Sequence, residues 1–538
     1  MYYYLLLLII SYNIQAHDFK TVVNNAMQAF NEQSYDQAES YFQQADAMYP
    51  DQPELLSNLA TCYKKNQKTE NAIELLYRVI KLKPDYTKAY LQLIALLKEA
   101  NHHDEVTRLY KKLLTLEPEN ASIHIECARY YKEQEQFNLC VEHYKKAVQL
   151  EPNSYAYRFE LAIIYTLLGQ TKKAIKLYDQ MLKKNPNNIT MIYNKGYAYK
   201  MQGDADIAIE LYKKAIELDA NYNAAHFALG MAYLIKGDFK NGWEKHARYL
   251  KQVNRNGDKL RTFFAEGTTQ GKRILLRPEG GLGDTINFIR YARELKKYGI
   301  HVIVAAQKPL YELLKQCDYI DELIKIGDPM TPFDDHTTLM SIPAILHSHE
   351  QRLSDFSPYI APDPERVAYW GEYLQHDSNF KIGICWEASV ANDVSRPPVA
   401  RRGMPLELMY ILSELDNVSL YSLQQHDGVE QLQSIPPYFK VHLFDATFDK
   451  THGSFVDTAA VMHHMDLIIS VDTAIAHLAG AMAKPIWLLL PWATDWRWLE
   501  HKTTSPWYPT MKIFKQPKPF DWQTPMNNIF WRLMKKTQ

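Results

Sequence analysis

Cysteine is scarce in this sequence, with five residues among 538 and no Cys-x-x-Cys pair. So few cysteines, odd in number and widely spread, exclude a disulfide framework and are typical of buried thiols in a reducing compartment. His124 with Cys127, and Cys140 with His143, are spaced like zinc ligands. Cys140, however, occupies a small-residue packing position of the repeat described below. We therefore expect no metal ion and no other cofactor.

An excess of either charge is also missing. Lysine plus arginine number 61 and aspartate plus glutamate 62, which leaves a net charge of -1. Nucleic-acid binding needs a basic footprint, so we expect no nucleic-acid partner. The balance still leaves room for a small basic pocket that binds an anion.

Long hydrophobic runs are absent as well. The apolar segment Tyr2–Ile10 is nine residues long, which is too short for a membrane-spanning helix. It resembles the core of a secretory signal with Ala16 as a cleavage position, but no Lys or Arg precedes it. We interpret residues 1–18 as an apolar leader of a cytoplasmic protein, which packs on the first helix or touches a membrane surface weakly. Export through residues 1–16 is the alternative.

The first half contains an internal repeat. Prolines recur every 34 residues, at Pro50, Pro84, Pro118, Pro152 and Pro186. Aligned on them, the columns 24 and 12 residues earlier are mainly small and the column eight residues earlier is mainly aromatic. Small residues let paired helices approach closely, and proline ends the second helix of each pair. This period resembles tetratricopeptide repeats. We expect about seven helical hairpins over residues 19–256, with a groove that binds a protein or peptide.

The second half alternates between short apolar runs and helical patterns. This alternation predicts parallel strands with helices on both faces. The predicted strands are 273–277, 301–306, 322–326, 381–386, 418–423, 441–444, 466–471 and 485–490. We expect two doubly wound lobes, residues 271–365 and 366–538, with a ligand cleft at the carboxyl ends of the strands. The predicted fold class is thus an all-α repeat array followed by an α/β region.

A glycine-rich loop follows the first predicted strand and precedes a helix. Gly281 and Gly283 allow a tight turn, and the helix start offers free N–H groups to an anion. Ile286 stands where a dinucleotide-binding fingerprint would have its next glycine, so an NAD site is not supported. Asp284 is a candidate for chemistry, and a simple helix N-cap is the alternative.

A second polar loop follows the predicted strand 466–471. Asp472 and Thr473 occupy the turn and helix start, and His477 lies one turn further on the same face. Free amides, a hydroxyl and an imidazole together suit a diphosphate. The alternative is a capped helix with a buried histidine. Two further candidates are Trp386, which could stack on a base or pack in the core, and Arg402, which could neutralise phosphate or lie in a solvated loop.

These segments together resemble the glycosyltransferase family typified by lipopolysaccharide heptosyltransferases, in the branch fused to tetratricopeptide repeats. The matching stretches are Gly-Leu-Gly-Asp284-Thr285, Ser454–Ala460, Ile469–Ala481, Asp495-Trp-Arg-Trp498 and Ser505-Pro-Trp-Tyr508-Pro. The resemblance implies a GT-B fold of two Rossmann-like lobes, without a metal. It implies that Asp284 is the general base toward the acceptor and that Asp472, Thr473 and His477 hold the donor diphosphate. Glu387, beside Trp386, departs from the family pattern, and the N-terminal lobe is short.

The leading hypothesis is an inverting, metal-independent glycosyltransferase. It would move a sugar from a nucleotide-sugar donor to a protein, glycan or lipid acceptor, with the repeats recruiting the acceptor or partner proteins. One alternative is a non-catalytic interaction scaffold with a vestigial glycosyltransferase domain. Another is a module that binds a nucleotide sugar without transferring it.

Overall fold

The computed structural model describes residues 18–252, 258–346, 358–393 and 395–537. The expected leader falls outside these residues, apart from its last position. The chain divides into two compact units, one up to Leu161 and one from Ala162 onward. The second unit therefore contains the last repeats together with the α/β region.

The repeats are helical hairpins, as the 34-residue period predicts. Their helices are α1 (18–31), α2 (Tyr35–Met48), α3 (Pro53–Lys65), α4 (Thr69–Leu82), α5 (Thr87–Glu99), α6 (His103–Leu116), α7 (Ala121–Glu133), α8 (Phe137–Leu150), α9 (Tyr155–Leu167), α10 (Thr171–Lys184), α11 (Ile189–Gln202), α12 (Ala205–Leu218), α13 (Asn223–Ile235) and α14 (Phe239–Gln252).

The small-residue and aromatic columns form the contacts between these helices. Ala38 and its counterparts in the next five repeats are fully buried, and the column from Phe42 to Tyr212 is buried throughout. Asn120 and Asn188 cap α7 and α11, because each side chain accepts a backbone N–H of the first turn. The period thus reports a packing repeat, as predicted.

The histidines and cysteines of the first unit that are spaced like zinc ligands form two separate kinds of contact. His124 Nδ1 and His143 Nδ1 lie 3.0 Å apart, while Cys127 and Cys140 are buried free thiols. Across the residues that the structure describes, no group of three or more His, Cys, Asp or Glu side chains could hold a metal ion. The two histidines pair with each other, and the cysteines fill the helix interface.

After the linking helix α15 (Asp258–Glu266), the α/β region begins with a four-stranded parallel sheet. Its elements are β1 (Arg273–Arg277), α16 (Leu282–Phe288), α17 (Arg290–Lys296), β2 (His301–Ala306), α18 (Tyr311–Leu314), β3 (Glu322–Lys325), β4 (Asp335–Thr338) and α19 (Ile342–Ile345). The strand order is β3-β2-β1-β4, with Leu275 facing Ile303 on one side and His336 on the other. The single helix predicted after β1 is two helices, and β4 was not predicted.

The second lobe holds a five-stranded parallel sheet in the order β6-β5-β7-β8-β9. Its elements are α20 (Pro364–Leu374), β5 (Phe380–Cys385), α21 (Val390–Asp393), β6 (Val418–Ser422), α22 (Val456–His464), β7 (Leu467–Val471), α23 (Ala474–Ala481), β8 (Ile486–Leu490), β9 (Met511–Lys515) and α24 (Gln523–Thr537). β7 and β8 are buried at every position, as central strands covered on both faces must be. The strand predicted at 441–444 is wrong, since only an isolated bridge between Tyr421 and His442 forms there.

The last repeat shares a hydrophobic core with the α/β lobes. Trp243 of α14 packs edge-on against Phe288 and Trp496, with ring centroids 6.1 and 5.3 Å apart. Phe239 meets Trp507 in the same way at 5.8 Å. These repeats and the lobes therefore form one continuous packed body within the second unit.

Within the described stretches of the chain, no helix is both long and apolar enough to cross a membrane.

Candidate functional site

The two predicted polar loops lie at the carboxyl ends of strands, close to the point in each sheet where the strand order reverses. In the first lobe β1 lies between β2 and β4, and in the second β5 lies between β6 and β7. In open parallel sheets, ligands bind at such switch points because the flanking loops part there. The loop after β1 carries Asp284, and the loop after β7 carries Asp472 and Thr473.

Asp284 is the third residue of α16 and not its N-cap residue, which is Gly281, but its side chain does cap the start of the helix. Its Oδ2 accepts the backbone N–H of Gly281 at 2.8 Å, and its Oδ1 is bonded by Arg497 Nη2. Gly280 has φ +80°, and a Cβ there would collide with the Asp284 carboxylate. The glycine-rich loop is therefore built around this carboxylate.

Arg497 joins the two lobes through a buried charge network. Its guanidinium also bonds Asp495 Oδ1 at 2.6 Å and lies 4.5 Å above the Trp496 ring. Burial alone would lower the pKa of Arg497, but the carboxylates of Asp284 and Asp495 raise it. Burial would likewise raise the pKa of Asp495, whereas Arg497 and Arg396 lower it to about 2. Asp495 and Arg497 are therefore both charged at neutral pH.

Asp472 and Thr473 occupy the turn between β7 and α23, as predicted. Thr473 is the extended N-cap residue of α23, and its hydroxyl lies 3.1 Å from Ser470 Oγ. Arg402 reaches the same turn, where its Nη1 donates to the Asp472 carbonyl at 3.0 Å. Its Nε donates to Asp393 at 2.7 Å. Arg402 is thus a partly buried, anchored cation beside a helix N-terminus and not part of a solvated loop.

His477 lies in the contact between the lobes. Its Nδ1 is 2.8 Å from Tyr508 Oη, and Tyr508 in turn donates to Asn287 Oδ1 of α16 at 3.1 Å. A Cβ on Gly283 would lie 2.7 Å from His477 Cδ2. Burial, reinforced by Arg497, lowers the pKa of His477 to about 3. The imidazole is therefore neutral and can contribute hydrogen bonds, but no positive charge, to a ligand.

Trp386 lies in the hydrophobic core. It has no exposed surface, and its indole N–H donates to the Gly428 carbonyl at 3.1 Å. The ring offers no face on which a base could stack, so the core-packing alternative describes it. Next to it, the Glu387 carboxyl fits between Gly403 and Gly428, where an added Cβ would collide with its side chain. Burial and the neighbouring acids Asp393, Glu430 and Asp427 raise the pKa of Glu387 to about 7.

A cavity of about 540 Å³ opens beside the Asp284 loop. This volume is in the range of small-molecule sites. Residues from the repeats and from both lobes line it: Tyr197, Lys200, Met201, Phe227, Met231, His246, Glu279, Gly280, Met340, Arg396, Pro397, Ala400, Ala493, Thr494, Asp495 and Trp496. Helices α11, α13 and α14 thus form one wall of the cavity.

Sequence reasoning did not assign several of these residues to the site. Asp495 and Arg497 stand in a quoted motif, Asp-Trp-Arg-Trp, but that motif alone does not show that Arg497 bonds Asp284. Lys200 stands in a repeat helix, where nothing in the local sequence distinguishes it from other surface lysines. Only the fold brings Lys200 and Asp495 to one cavity and Arg497 to Asp284.

Comparisons with known proteins agree with this architecture. Tetratricopeptide-repeat family models match residues 29–97, 133–193 and 196–237. The model of glycosyltransferase family 9 (heptosyltransferase) matches residues 406–490. That stretch contains β6, β7, α23 and the Asp472 loop.

One curated relative is the protein FlbA of Caulobacter vibrioides, 23% identical over 279 residues. The match covers 48% of this chain and 46% of FlbA, so the chain spans about half the length of that relative. Among solved structures, YrrB is 20% identical with a TM-score of 0.30, covering 34% of this chain and 95% of YrrB. A repeat protein of Cytophaga hutchinsonii is 16% identical with a TM-score of 0.38, covering 44% and 97%. The chain combines tetratricopeptide repeats with a C-terminal glycosyltransferase family 9 domain.

Proposed function

We propose that the chain is an inverting glycosyltransferase that moves a sugar from a nucleotide-sugar donor to an acceptor hydroxyl. The observation that supports this most is the approach of the two polar loops. Gly283, beside Asp284, packs directly on His477 of α23. This contact supports a mechanism in which a base for the acceptor and an anion site for the donor stand on facing lobes.

The donor diphosphate would bind at the turn between β7 and α23. The first N–H groups of α23 point out of the helix there, and the helix dipole favours an anion. The Thr473 hydroxyl adds a donor, and Arg402 supplies a cation that is held in place by Asp393. The neutral imidazole of His477 would orient the diphosphate through a hydrogen bond without adding charge. These groups would stabilise the leaving nucleoside diphosphate as its negative charge develops.

The transfer would be a single displacement. The acceptor oxygen attacks the anomeric carbon, the bond from that carbon to the phosphate oxygen breaks, and Asp284 takes the hydroxyl proton. The nucleoside diphosphate leaves with the bonding electrons. The configuration at the anomeric carbon inverts because attack and departure occur on opposite faces. In this mechanism Arg402 and the start of α23 carry the charge stabilisation, so the reaction needs no metal.

The repeats would bind a protein. Stacked hairpins present an extended surface that suits a peptide segment, and such a surface would hold an acceptor or partner protein near the transferase site. The proposed reaction uses a cytoplasmic sugar donor, which is the reason to place the protein in the cytoplasm.

Calorimetry with UDP, GDP, ADP and CDP tests the donor site. We expect one of the four to bind, and the matching nucleotide sugars then serve as donors for transfer to lysate acceptors. Asp284→Asn should keep nucleotide binding and lose transfer by about 100-fold or more, since general-base catalysis contributes about 10²–10⁴-fold. Asp328→Asn, at an exposed position of the same lobe, is the control and should be active. Failure of every nucleotide to bind, or full activity of Asp284→Asn, would disprove the proposal.

The second candidate is a domain that binds a nucleotide sugar without transferring it, as part of an interaction scaffold. One observation favours it: both carboxylate oxygens of Asp284 already have partners, Gly281 N–H and Arg497. To act as a base, Asp284 must exchange one of them for the acceptor hydroxyl. Donor binding without any transfer or donor hydrolysis would select this candidate.

A further inference from the structure

The wall that the repeats contribute to the cavity belongs to one repeated surface. Tyr197 and Met231 both line the cavity, and they lie 34 residues apart, so they hold equivalent positions on the first helices of neighbouring repeats. Ile163 holds this position one repeat earlier and is partly exposed. The lining is therefore part of the face on which stacked repeats present their first helices, a face suited to an extended peptide.

The cavity lies on the acceptor side of the expected reaction. Gly280, which lines it, is in contact with the Asp284 carboxylate. Asp284 itself does not line the cavity, which reaches its loop through Glu279 and Gly280, and Arg402, Asp472, Thr473 and His477 do not line it either. A hydroxyl that gives its proton to Asp284 must come within about 3 Å of the carboxylate, and this cavity is the space from which it could come.

Lys200 places a cation in the cavity lining, which also holds Arg396 and the carboxylates of Glu279 and Asp495. Its ammonium lies 5.7 Å over the Tyr197 ring, and it has no ion-pair partner among the residues that the structure describes. Lys195, on the same helix, is instead paired with Asp179 at 2.7 Å. The other charges that line the cavity have polar partners: Asp495 bonds Arg497, Arg396 lies 3.4 Å from Asp393, and Glu279 accepts the Thr338 hydroxyl.

Keeping Lys200 charged at this position costs free energy when no anion lies beside it. Burial lowers the pKa of Lys200, opposed by Asp495 and assisted by Arg396, because a charged group loses hydration there. A ligand carboxylate that enters the cavity would compensate this loss. The neighbouring apolar lining from Met201, Phe227 and Met231 would cover the rest of a peptide segment.

We propose that this cavity is the acceptor subsite and that Lys200 selects polypeptide acceptors with an acidic side chain near the hydroxyl that receives the sugar. The proposal rests on the transferase function proposed above. It makes the repeats part of the catalytic cavity, where Lys200 determines specificity.

Two synthetic peptides test the selection, one with a single serine flanked by aspartates and one with the same serine flanked by lysines. With the donor found by calorimetry, the wild-type protein should glycosylate the acidic peptide at least about tenfold better in kcat/KM, and Lys200→Glu should reverse this preference. Lys214→Glu, an exposed charge reversal in the same repeat, should leave the preference unchanged. A reversal by Lys200→Glu cannot result from a merely damaged fold, because activity toward the basic peptide is gained.

Nucleotide affinity separates this proposal from the proposed function. Lys200→Met should bind the nucleoside diphosphate within about twofold of the wild type. Lost nucleotide binding in this variant would assign Lys200 to the donor and overturn the proposal. Equal preference in the wild type and Lys200→Glu, or transfer to glycans and to neither peptide, would also overturn it. A wild-type protein that binds no nucleotide would overturn the transferase function as well.

Discussion

Replacing Arg497 by methionine should destabilise the second unit strongly. The guanidinium bonds Asp284 and Asp495 and is buried, whereas methionine keeps much of the apolar stem and removes the charge. Two carboxylates would then stand in a poorly hydrated site without their common partner. Breaking a buried ion pair by removing one member costs about 3–5 kcal/mol, and we expect a loss of that size.

The loss should depend on pH in a direction set by Asp495. Although burial opposes it, Arg497 and Arg396 lower the pKa of this carboxyl from 3.8 to about 2. A lowered pKa in the folded state stabilises the protein above the unfolded-state pKa, and this stabilisation disappears as the pH falls through about 2. At about 1.4 kcal/mol per unit, Asp495 accounts for roughly 2–3 kcal/mol of the total. The difference between Arg497→Met and the wild type should therefore shrink between about pH 4 and pH 2.

Unfolding of the second unit can be followed by tryptophan fluorescence, because all ten tryptophans lie between Trp243 and Trp531. Urea unfolding would be measured at about pH 7, 4 and 3. Arg293→Met, at an exposed position, is the control and should stay within about 0.5 kcal/mol of the wild type. This account would be refuted if Arg497→Met had the same urea unfolding midpoint as the wild type. It would also be refuted if the difference in unfolding free energy between the two proteins did not shrink in acid.

Three further predictions concern the same chain. Gly283→Ala should lower the free energy of unfolding in urea by about 1–3 kcal/mol, because its Cβ would lie 2.7 Å from the His477 ring, which Tyr508 holds in place. Wild-type stability of this variant would show that the loops do not pack as described. Glu387→Gln should stabilise the protein more at about pH 9 than at about pH 5. Burial raises the pKa of this carboxyl to about 7, so its charged form is disfavoured in the folded protein. An equal change in the urea unfolding midpoint at both pH values would contradict this. Because all five thiols are buried, they should react with a disulfide reagent only after unfolding, and rapid labelling of the native protein would be the contrary result.

Much of the fold follows from local patterns. The prolines and the small-residue columns predict the hairpins because every repeat packs its two helices, and its neighbours, in the same way. Fully apolar runs predict central strands such as β7, because those strands are buried on both faces. The exceptions have physical reasons. β4 reads Asp-His-Thr-Thr, which lacks the apolar signal, and Leu443, in the wrongly predicted strand, is 54% exposed.

The site is predictable only in part, for a similar reason. The loops with Asp284 and Asp472 have local signatures, since a glycine turn or a polar turn before a helix can be read from neighbouring residues. Arg497 lies 213 residues from Asp284, and their ion pair depends on how the lobes close. Trp386 shows the opposite limit. Its place at the end of a strand suits base stacking, but the loop with Gly428 covers it.

The shared core changes how the repeats should be regarded. Ile235 of the last repeat accepts the backbone N–H of Glu500 at 2.9 Å, and the Glu500 carboxylate accepts the N–H of Ala205 at 3.2 Å. Phe239 and Trp243 are each 2% exposed, and burying a side chain of this size stabilises a fold by about 1.5–3 kcal/mol. A cut between repeats and lobes would expose both rings and remove one wall of the cavity. The last repeats therefore cannot be a detachable recruiting arm, because they supply core packing to the lobes and Lys200 to the cavity at the same time.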